Sequence, residues 1–231
     1  MNKNVTFQDL GLIDYKKCWQ HQENLFAQIL AIKAGNKKNI RQKETKNHMI
    51  FCEHPHVYTL GKSGNKKNLL VNEGFLKKRG AKFYKINRGG DITYHGPGQI
   101  VGYPILDLAN FFTDIHKYLR LLEEVVILTL KDYGLSAERS KGETGVWFDV
   151  GTKNARKICA FGVKSSRWAT MHGFALNVNS DLSYFENIIP CGIVGKSVTS
   201  LENEIGKKTD LSEVKKKLKT YLVSLFEMQI V

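Results

Sequence analysis

The sequence has few of the features that mark secreted or membrane proteins. No apolar run approaches the ~20 residues that a bilayer span requires. The N-terminus shows neither an apolar segment nor a small-residue cleavage site, so no secretion signal is predicted. The four cysteines have no paired spacing, and thiols in a chain without a signal normally stay reduced. These absences argue against a membrane protein or a disulfide-stapled secreted domain and favour the cytoplasm.

Acidic residues are scarce relative to basic ones: 22 against 35, which gives a net charge of +13. Much of the excess lies in residues 33–46 and in a C-terminal tail that contains Lys207, Lys208, Lys215, Lys216, Lys217 and Lys219. Such charge is typical of proteins that bind nucleic acid or an acidic protein. A solvated basic surface explains it equally well, so charge alone does not decide the partner.

The chain, 231 residues without an internal repeat or long linker, predicts one domain over 1–231. Asp14 is a predicted N-cap for a helix that runs through Ala34. Helical spacing also covers 113–133 and 211–226, whereas strand patterns cover 48–60 (broken near Pro55), 81–86, 92–94, 146–150, 156–163 and 170–178. An apolar stretch covers 100–108. This order lacks regular βαβ alternation and predicts an α+β fold, a mixed or antiparallel sheet with flanking helices.

The most unusual segment is 88–99, RGGDITYHGPGQ, with four glycines and a proline in twelve residues. Glycine permits positive φ and lets backbone N–H groups approach a ligand closely, so we expect Arg88 and His95 to flank a binding wall. No G-K-[ST] follows and no long helix opens at the glycines, which excludes a Walker loop and a dinucleotide fingerprint. A glycine-rich hairpin without a ligand is the alternative.

A lysine lies among apolar residues in the predicted strand 156–163. Strand alternation would place Lys157, Cys159 and Phe161 on one face. Burying a lysine is costly unless it is paired or has a chemical role, although its stem can also carry the ammonium to water. Lys157 is therefore either a functional residue or an edge-strand lysine that reaches solvent.

Cys191 is flanked by Pro190 and Gly192, which predicts an accessible turn rather than a packed strand. A free cysteine has a pKa of ~8.5, so a nearby cation such as Lys157 or a histidine is needed to make it a nucleophile. Inert packing is the alternative.

A candidate metal cluster lies elsewhere in the sequence. Cys52, His54 and His56 alternate as metal ligands on one strand face would. Pro55 interrupts the strand and no fourth ligand is evident, so no metal site is predicted.

Six segments occur together in an order that resembles the lipoyl(octanoyl) transferases, from about residue 5 to residue 226. They are RGGDITYHGPGQ (88–99), GVWF (145–148), KICAFGV (157–163), HGFALNVN (172–179), PCGI (190–193) and VTSL (198–201). The basic insertion at 36–46 and the lysine-rich tail depart from that family's pattern without touching these segments.

The resemblance implies transfer of an octanoyl group from octanoyl-acyl carrier protein to a lysine ε-amine on lipoyl domains of 2-oxoacid dehydrogenases and the glycine cleavage H protein. It implies the fold of biotin and lipoate protein ligase catalytic domains, with no cofactor and no metal. By similarity, Cys191 carries the acyl thioester, Lys157 lowers the pKa of that thiol and His172 supports the site. The implied substrate-binding residues are Arg88, Gly89, Gly90, Asp91, Ile92, Thr93, Tyr94, His95, Ala160, Phe161, Gly162, Gly173, Phe174 and Ala175.

Two other functions compete with this one. An ATP-dependent lipoate or biotin ligase of the same fold would form an acyl-adenylate and need no thiol, so PCGI favours the transferase. A nucleic-acid-binding module would use the basic patches, but the sequence has no basic–aromatic recognition signature. We therefore expect neither a nucleic-acid partner nor a membrane partner.

Overall fold

The structure, a computed structural model, describes residues 1–37, 40, 42–189 and 197–231. Its strands are β1 (Asn4–Leu12), β2 (Asn47–Glu53), β3 (Val57–Leu60), β4 (Lys82–Lys85), β5 (Ile92–His95), β6 (Gln99–Ile105), β7 (Val146–Phe148), β8 (Arg156–Ser166), β9 (Ala169–Asn177), β10 (Ser197–Val198) and β11 (Gln229–Ile230). Its helices are α1 (Tyr15–Asn36), α2 (Glu73–Lys78), α3 (Ile115–Lys131), α4 (Leu201–Ile205) and α5 (Leu211–Phe226). Among these residues no helix is both long enough and apolar enough to cross a bilayer.

Eight of the described strands form one mixed sheet in the order β10-β8-β9-β6-β2-β1-β11, with β7 paired to β8. The central pairs β8–β9, β9–β6 and β6–β2 are antiparallel, whereas β1 runs parallel to β2 and β10 parallel to β8. A smaller sheet has the order β4-β3-β5, in which β3 runs parallel to β4 and antiparallel to β5. Both sheets therefore mix the two pairing directions, and the predicted α+β fold with a mixed sheet is confirmed.

The large sheet is covered on both faces. Strand β2 alternates between them: Met49 and Phe51 pack toward α3 and α5, and Ile50 and Cys52 pack toward α1. Because neither face meets water, β2 is apolar at successive positions rather than at every second one. The result is a three-layer arrangement with α1 on one side and α3 with α5 on the other.

The small sheet has its own apolar cluster, which includes Tyr58, Leu60 and Tyr94. Helix α2 contributes Leu76 to this cluster, and the 3₁₀ segment Leu182–Asn187 contributes Tyr184 and Phe185. This sheet stands beside strands β8 and β9 of the large sheet, because Gly89 donates its N–H to the carbonyl of Val163 at 2.9 Å. The space between the two sheets holds the candidate site.

Candidate active site

A cavity of about 390 Å³ lies between the glycine-rich segment and strands β8 and β9. This volume is ordinary for a small-molecule site. The wall gathers residues from distant parts of the chain, and it includes most of those predicted from the resemblance: Arg88, Gly89, Gly90, Asp91, Ile92, Thr93, His95, Lys157, Ala160, Phe161, Gly162, His172, Gly173, Phe174 and Ala175.

Tyr94 does not line the cavity, and its predicted place in the substrate site needs correction. Neighbouring residues of β5 point to opposite faces, so Thr93 and His95 face the cavity while Tyr94 turns into the small sheet's core. Its hydroxyl lies 2.7 Å from Nδ1 of His56, and its ring stacks on Tyr184 at a centroid distance of 4.9 Å. Tyr94 therefore supports the wall from behind.

Glycine is required where the two sheets meet. Gly162 on β8 pairs with Gly173 on β9. A Cβ on Gly162 would lie 2.9 Å from Cδ of Arg88 and 3.0 Å from the carbonyl oxygen of Gly89. The side-chain-free backbone thus lets residues 88–90 lie directly against β8.

Arg88 is buried and held by the small sheet. One terminal guanidinium nitrogen, Nη2, donates to the Thr59 carbonyl at 2.7 Å and to the Thr59 hydroxyl at 3.0 Å. The other, Nη1, donates to the Gly89 carbonyl at 2.9 Å. These bonds fix a positive charge at the cavity wall, and that charge contributes to lowering the pKa of both His95 and His172.

His95 has a defined tautomer. Gln99 donates its amide N–H to the carbonyl of Tyr94 and to Oδ1 of Asn177, so its Oε1 accepts from Nδ1 of His95 at 2.7 Å. This leaves Nε2 as the acceptor nitrogen of a side chain that lines the cavity. Burial, reinforced by the nearby His54, lowers the pKa of His95 to about 3, so the ring is neutral at physiological pH.

His172 reaches the wall through an unusual backbone conformation, with φ of +59° inside strand β9. Its Nε2 donates to Oδ1 of Asn87 at 3.2 Å, since the Asn87 amide nitrogen donates to Glu23. Nδ1 is buried and has no hydrogen-bond partner among the described residues. Burial lowers the pKa of His172 to about 3, so this ring too is neutral at physiological pH.

Lys157 lines the cavity near the end of β8 where β7 and β10 pair with it. Its ammonium lies 4.5 Å from the centroid of the Trp147 ring, a cation–π contact. Its carbonyl accepts from the N–H of Thr199 at 2.9 Å, immediately after β10. The residues Ser197 and Val198, which precede Thr199, also line the cavity.

The expectation that Lys157 and Cys159 share a strand face is wrong. Trp147 pairs with Lys157 and the preceding Val146 pairs with Cys159, so the register carries an extra residue, Ile158, on β8. This bulge interrupts the alternation. Ile158 and Cys159 both pack in the core beneath α3 and α5, and burial raises the pKa of the Cys159 thiol.

The three described cysteines, Cys18, Cys52 and Cys159, are buried and none of them lines the cavity. Cys191 lies outside the described residues, so the structure describes only Lys157 of the predicted Cys191–Lys157 pair. That pair and the predicted roles of the wall residues remain predictions.

The three side chains considered as metal ligands, Cys52, His54 and His56, do not lie together. His56 stacks on Tyr184 at 4.1 Å between ring centroids, away from Cys52 and His54. Cys18, rather than His56, lies beside Cys52 and His54, and the ligand atoms of these three residues lie within 4.8 Å of one another. His54 already bonds the carbonyl of Ile13 through Nδ1 and the Tyr103 hydroxyl through Nε2, each at 2.8 Å, so hydrogen bonding accounts for this cluster without an ion.

Several wall residues were not singled out from the sequence. Gln99, Trp147 and Asn177 lie within the segments that carry the family resemblance, which was the available signal. Gln99 donates to Asn177 at 2.8 Å, and the Asn177 amide donates to the carbonyl of Thr199 at 3.0 Å. Hydrogen bonds thus connect His95 with the residue that binds the Lys157 carbonyl. Tyr15, from α1, also lines the cavity but lies outside the segments that carry the resemblance.

Comparison with known proteins gives consistent results over the whole chain. Residues 14–223 match the lipoyl protein ligase A/B catalytic domain family. An octanoyltransferase of Flavobacterium johnsoniae is 66% identical over 232 residues, covering 100% of this chain and 100% of that protein. One from Christiangramia forsetii is 64% identical over 231 residues, covering 100% of this chain and 99% of that protein.

Solved structures show the same fold at low identity. A bi-partite lipoate protein ligase of Thermoplasma acidophilum, studied with its E2 lipoyl domain, has a TM-score of 0.68 at 17% identity and covers 100% of this chain and 85% of that chain. A biotin protein ligase of Aquifex aeolicus in complex with biotin and ATP has a TM-score of 0.52 at 15% identity, covering 97% and 71%. These likenesses confirm the predicted fold, and they carry no information on the reaction.

Proposed function

Since the chain belongs to the octanoyltransferases of the lipoyl protein ligase A/B catalytic domain family, we propose that it moves an octanoyl group from octanoyl-acyl carrier protein to a lysine of lipoyl domains through a thioester on Cys191. The observation that carries the proposal is one cavity that combines an apolar wall with the Lys157 ammonium. The acceptor is proposed from the family and from the lipoyl domain studied with the Thermoplasma ligase.

The apolar wall suits an acyl chain. Val101, Phe161 and Phe174 line the cavity, and the paired glycines leave an unobstructed strip along β8 and β9. Each methylene moved from water into such a site contributes about 0.8 kcal/mol, so the six methylenes of an octanoyl chain contribute about 5 kcal/mol. This binding energy holds the thioester at the polar end of the cavity.

Lys157 suits the activation of a thiol. An ammonium close to a sulfur favours the thiolate and lowers the thiol pKa, which produces the nucleophile at neutral pH. Thiolate is also a good leaving group, as a transfer from one thioester to an amide requires. The aromatic ring of Trp147, 4.5 Å from the Lys157 ammonium, helps to position it.

The proposed reaction has two steps. The Cys191 thiolate attacks the donor carbonyl, the bond to the pantetheine sulfur breaks, and that sulfur takes a proton from Lys157. The substrate amine then attacks the Cys191 thioester, the Cys191 sulfur leaves as thiolate, and the proton lost by the amine restores the Lys157 ammonium. No nucleotide or metal takes part in either step.

The neutral His95 would orient a group that carries an N–H. Its Nε2 is available as an acceptor because Nδ1 donates to Gln99, whereas the acceptor nitrogen of His172, Nδ1, is buried. An acceptor in the wall can bind the attacking amine or an amide N–H of the pantetheine arm. Because both pKa values are lowered to about 3, neither ring places a second positive charge beside Lys157.

The ATP-dependent ligase is the alternative function within this fold. Purified protein, octanoyl-acyl carrier protein and a lipoyl domain should yield octanoylated lipoyl domain without ATP, and free octanoate with ATP and Mg²⁺ should yield none. Product only from octanoate and ATP would replace the transferase with a ligase.

A further inference from the structure

A lysine-rich lobe borders the cavity. Residues 61–87, here called the lysine lobe, contain one acidic residue, Glu73, and eight basic residues. The basic residues, all exposed, are Lys62, Lys66, Lys67, Lys77, Lys78, Arg79, Lys82 and Lys85. More than half of the chain's net charge of +13 therefore lies in 27 consecutive residues, outside the two patches that the sequence drew attention to.

Most of this charge is not neutralised. Lys82 pairs with Asp14 at 2.7 Å, and Arg79 lies over the Tyr184 ring. None of the other six lysines of the lobe makes an ion pair with any residue that the structure describes.

The two basic patches noted in the sequence, residues 33–46 and the lysine-rich tail, differ from the lobe because some of their lysines form ion pairs within the fold. In the tail, Lys215 pairs with Asp9 and Lys217 with Asp132. At the start of the 33–46 patch, Lys33 pairs with Asp107 at 2.5 Å. Part of that charge is thus used inside the fold, whereas the lobe presents its charge to solvent.

Two apolar side chains are exposed among the lysines. Leu70 is 55% exposed and Phe75 is 39% exposed, and both belong to the lobe. An exposed leucine and an exposed phenylalanine in a segment of mainly positive charge are typical of a protein-binding surface, where apolar contacts give affinity and charges give orientation. A surface that binds only nucleic acid phosphates has less use for them.

The lobe is hydrogen-bonded to the rim of the cavity. Leu70 N–H donates to the carbonyl of Asn187 at 2.9 Å, and Ile189 N–H donates to the carbonyl of Asn68 at 2.8 Å. On its other side, the N–H of Asn65 donates to the carboxylate of Asp91, which lines the cavity. A macromolecule seated on the lobe therefore stands next to the cavity wall.

We propose that the lysine lobe is the docking surface for the acyl donor, an acidic carrier protein whose octanoyl thioester is attached through a phosphopantetheine arm. This rests on the proposed function. The donor is anionic both on its surface and at the arm phosphate, so the lobe attracts the carrier and the arm together.

The test compares two quadruple variants with equal charge loss at exposed positions. The lobe variant is Lys66→Gln, Lys67→Gln, Lys77→Gln and Lys78→Gln, and the control variant is Lys37→Gln, Lys43→Gln, Lys46→Gln and Lys208→Gln. For each, kcat/KM is measured with octanoyl-acyl carrier protein, with octanoyl-pantetheine and with varied lipoyl domain. Affinity for holo-acyl carrier protein is measured separately by fluorescence anisotropy, and melting temperatures establish folding.

The lobe variant should lose about tenfold in kcat/KM with the carrier protein and show a flatter salt dependence, because steered association commonly gains this much. Its activity with octanoyl-pantetheine should not change, and the control variant should match wild type. Three results would overturn the proposal. They are equal losses of kcat/KM in both variants, a loss of kcat/KM that appears only when the lipoyl domain is the varied substrate, and a loss of duplex DNA binding with unchanged affinity for the carrier. If wild type transfers from neither donor, the proposed function fails, and the anisotropy measurement still decides whether the lobe binds the carrier.

Discussion

The surroundings of each cysteine determine what its sulfur can do. Cys159 packs in the main core, where burial raises its pKa, and Cys18 and Cys52 face each other behind α1 with 4.0 Å between their sulfurs. A thiol buried in such a position is inaccessible to a substrate, which suits packing. Among the four cysteines this leaves Cys191 as the proposed nucleophile, with Lys157 as its proposed partner.

Replacing Cys191 should abolish transfer, and replacing Cys159 should not. Cys191→Ala removes the proposed nucleophile, so octanoylated lipoyl domain should fall below detection. Cys159→Ala removes one buried sulfur from the core and should cost about 1–2 kcal/mol of stability with turnover near wild type. Near-native turnover by Cys191→Ala would place the acyl group elsewhere.

Lys157→Met tests the electrostatic role of the ammonium. The variant keeps an unbranched stem beside Trp147, so the fold should be retained, while the pKa of the Cys191 thiol should rise and slow its alkylation at neutral pH. The measurement is the pH profile of iodoacetamide labelling at Cys191, read by peptide mass. Lys153→Met, at an exposed position just before β8, is the matched control. A profile identical to wild type would contradict the pairing of Lys157 with Cys191.

At the scale of elements, the cavity depends on how closely the glycine-rich segment lies against β8. Gly162→Ala puts a methyl group 3.0 Å from the Gly89 carbonyl, so residues 88–90 must move away. We expect a rise in KM for octanoyl-pantetheine of at least about tenfold with a stability loss of about 1–3 kcal/mol, the usual cost of overpacking. Gly74→Ala is the control, since a Cβ there meets only Oδ1 of Asn72, at 3.4 Å. A stability loss with unchanged KM would reduce Gly162 to a packing role.

The three long helices, α1, α3 and α5, and most strands could be predicted because their signals are local. Helix α5 occupies the predicted 211–226, and α1 begins after its predicted cap, Asp14, and ends two residues beyond Ala34. Strand β1 was missed because only Val5 of its nine residues is buried, so its sequence does not alternate. Helix α2 was missed because six residues give no helical period.

The site was predictable in composition and not in geometry. Residues of the wall could be named from motifs, but whether β5 turns Tyr94 inward or outward depends on its pairing with β3. The bulge at Ile158 depends likewise on pairing with β7. Such non-local register is set by the whole sheet, and no local pattern in the sequence encodes it.

At the scale of the whole molecule, the buried histidines connect the site to stability. Burial lowers the pKa of His54 to about 4 and of His95 and His172 to about 3, against an ordinary value of 6.5. Above pH 6.5 these rings are neutral in both the folded and the unfolded chain, so their contribution is fully present. Below pH 6.5 the unfolded chain binds protons that the folded chain does not, and stability falls until the folded pKa is passed.

Acidification from pH 7 to pH 5 should therefore reduce the free energy of unfolding by about 1.4 kcal/mol per pH unit for each of these histidines once the pH is below 6.5. Urea unfolding at a series of pH values measures the slope, and His54→Gln should flatten it by one histidine's share. An imidazole titration near pH 6.5 for His95 or His172 in NMR spectra of the folded protein would contradict this account.

In the proposed reaction the acyl group resides on Cys191 between donor and acceptor. Intact mass after incubation with octanoyl-acyl carrier protein should show one octanoyl adduct, mapped to the Cys191 peptide and removed by hydroxylamine, as a thioester is. Addition of a lipoyl domain should discharge it and leave the octanoyl group on the domain's lysine as an amide. Transfer to the lipoyl domain with no adduct at Cys191, or an adduct that the lipoyl domain does not discharge, would contradict the account.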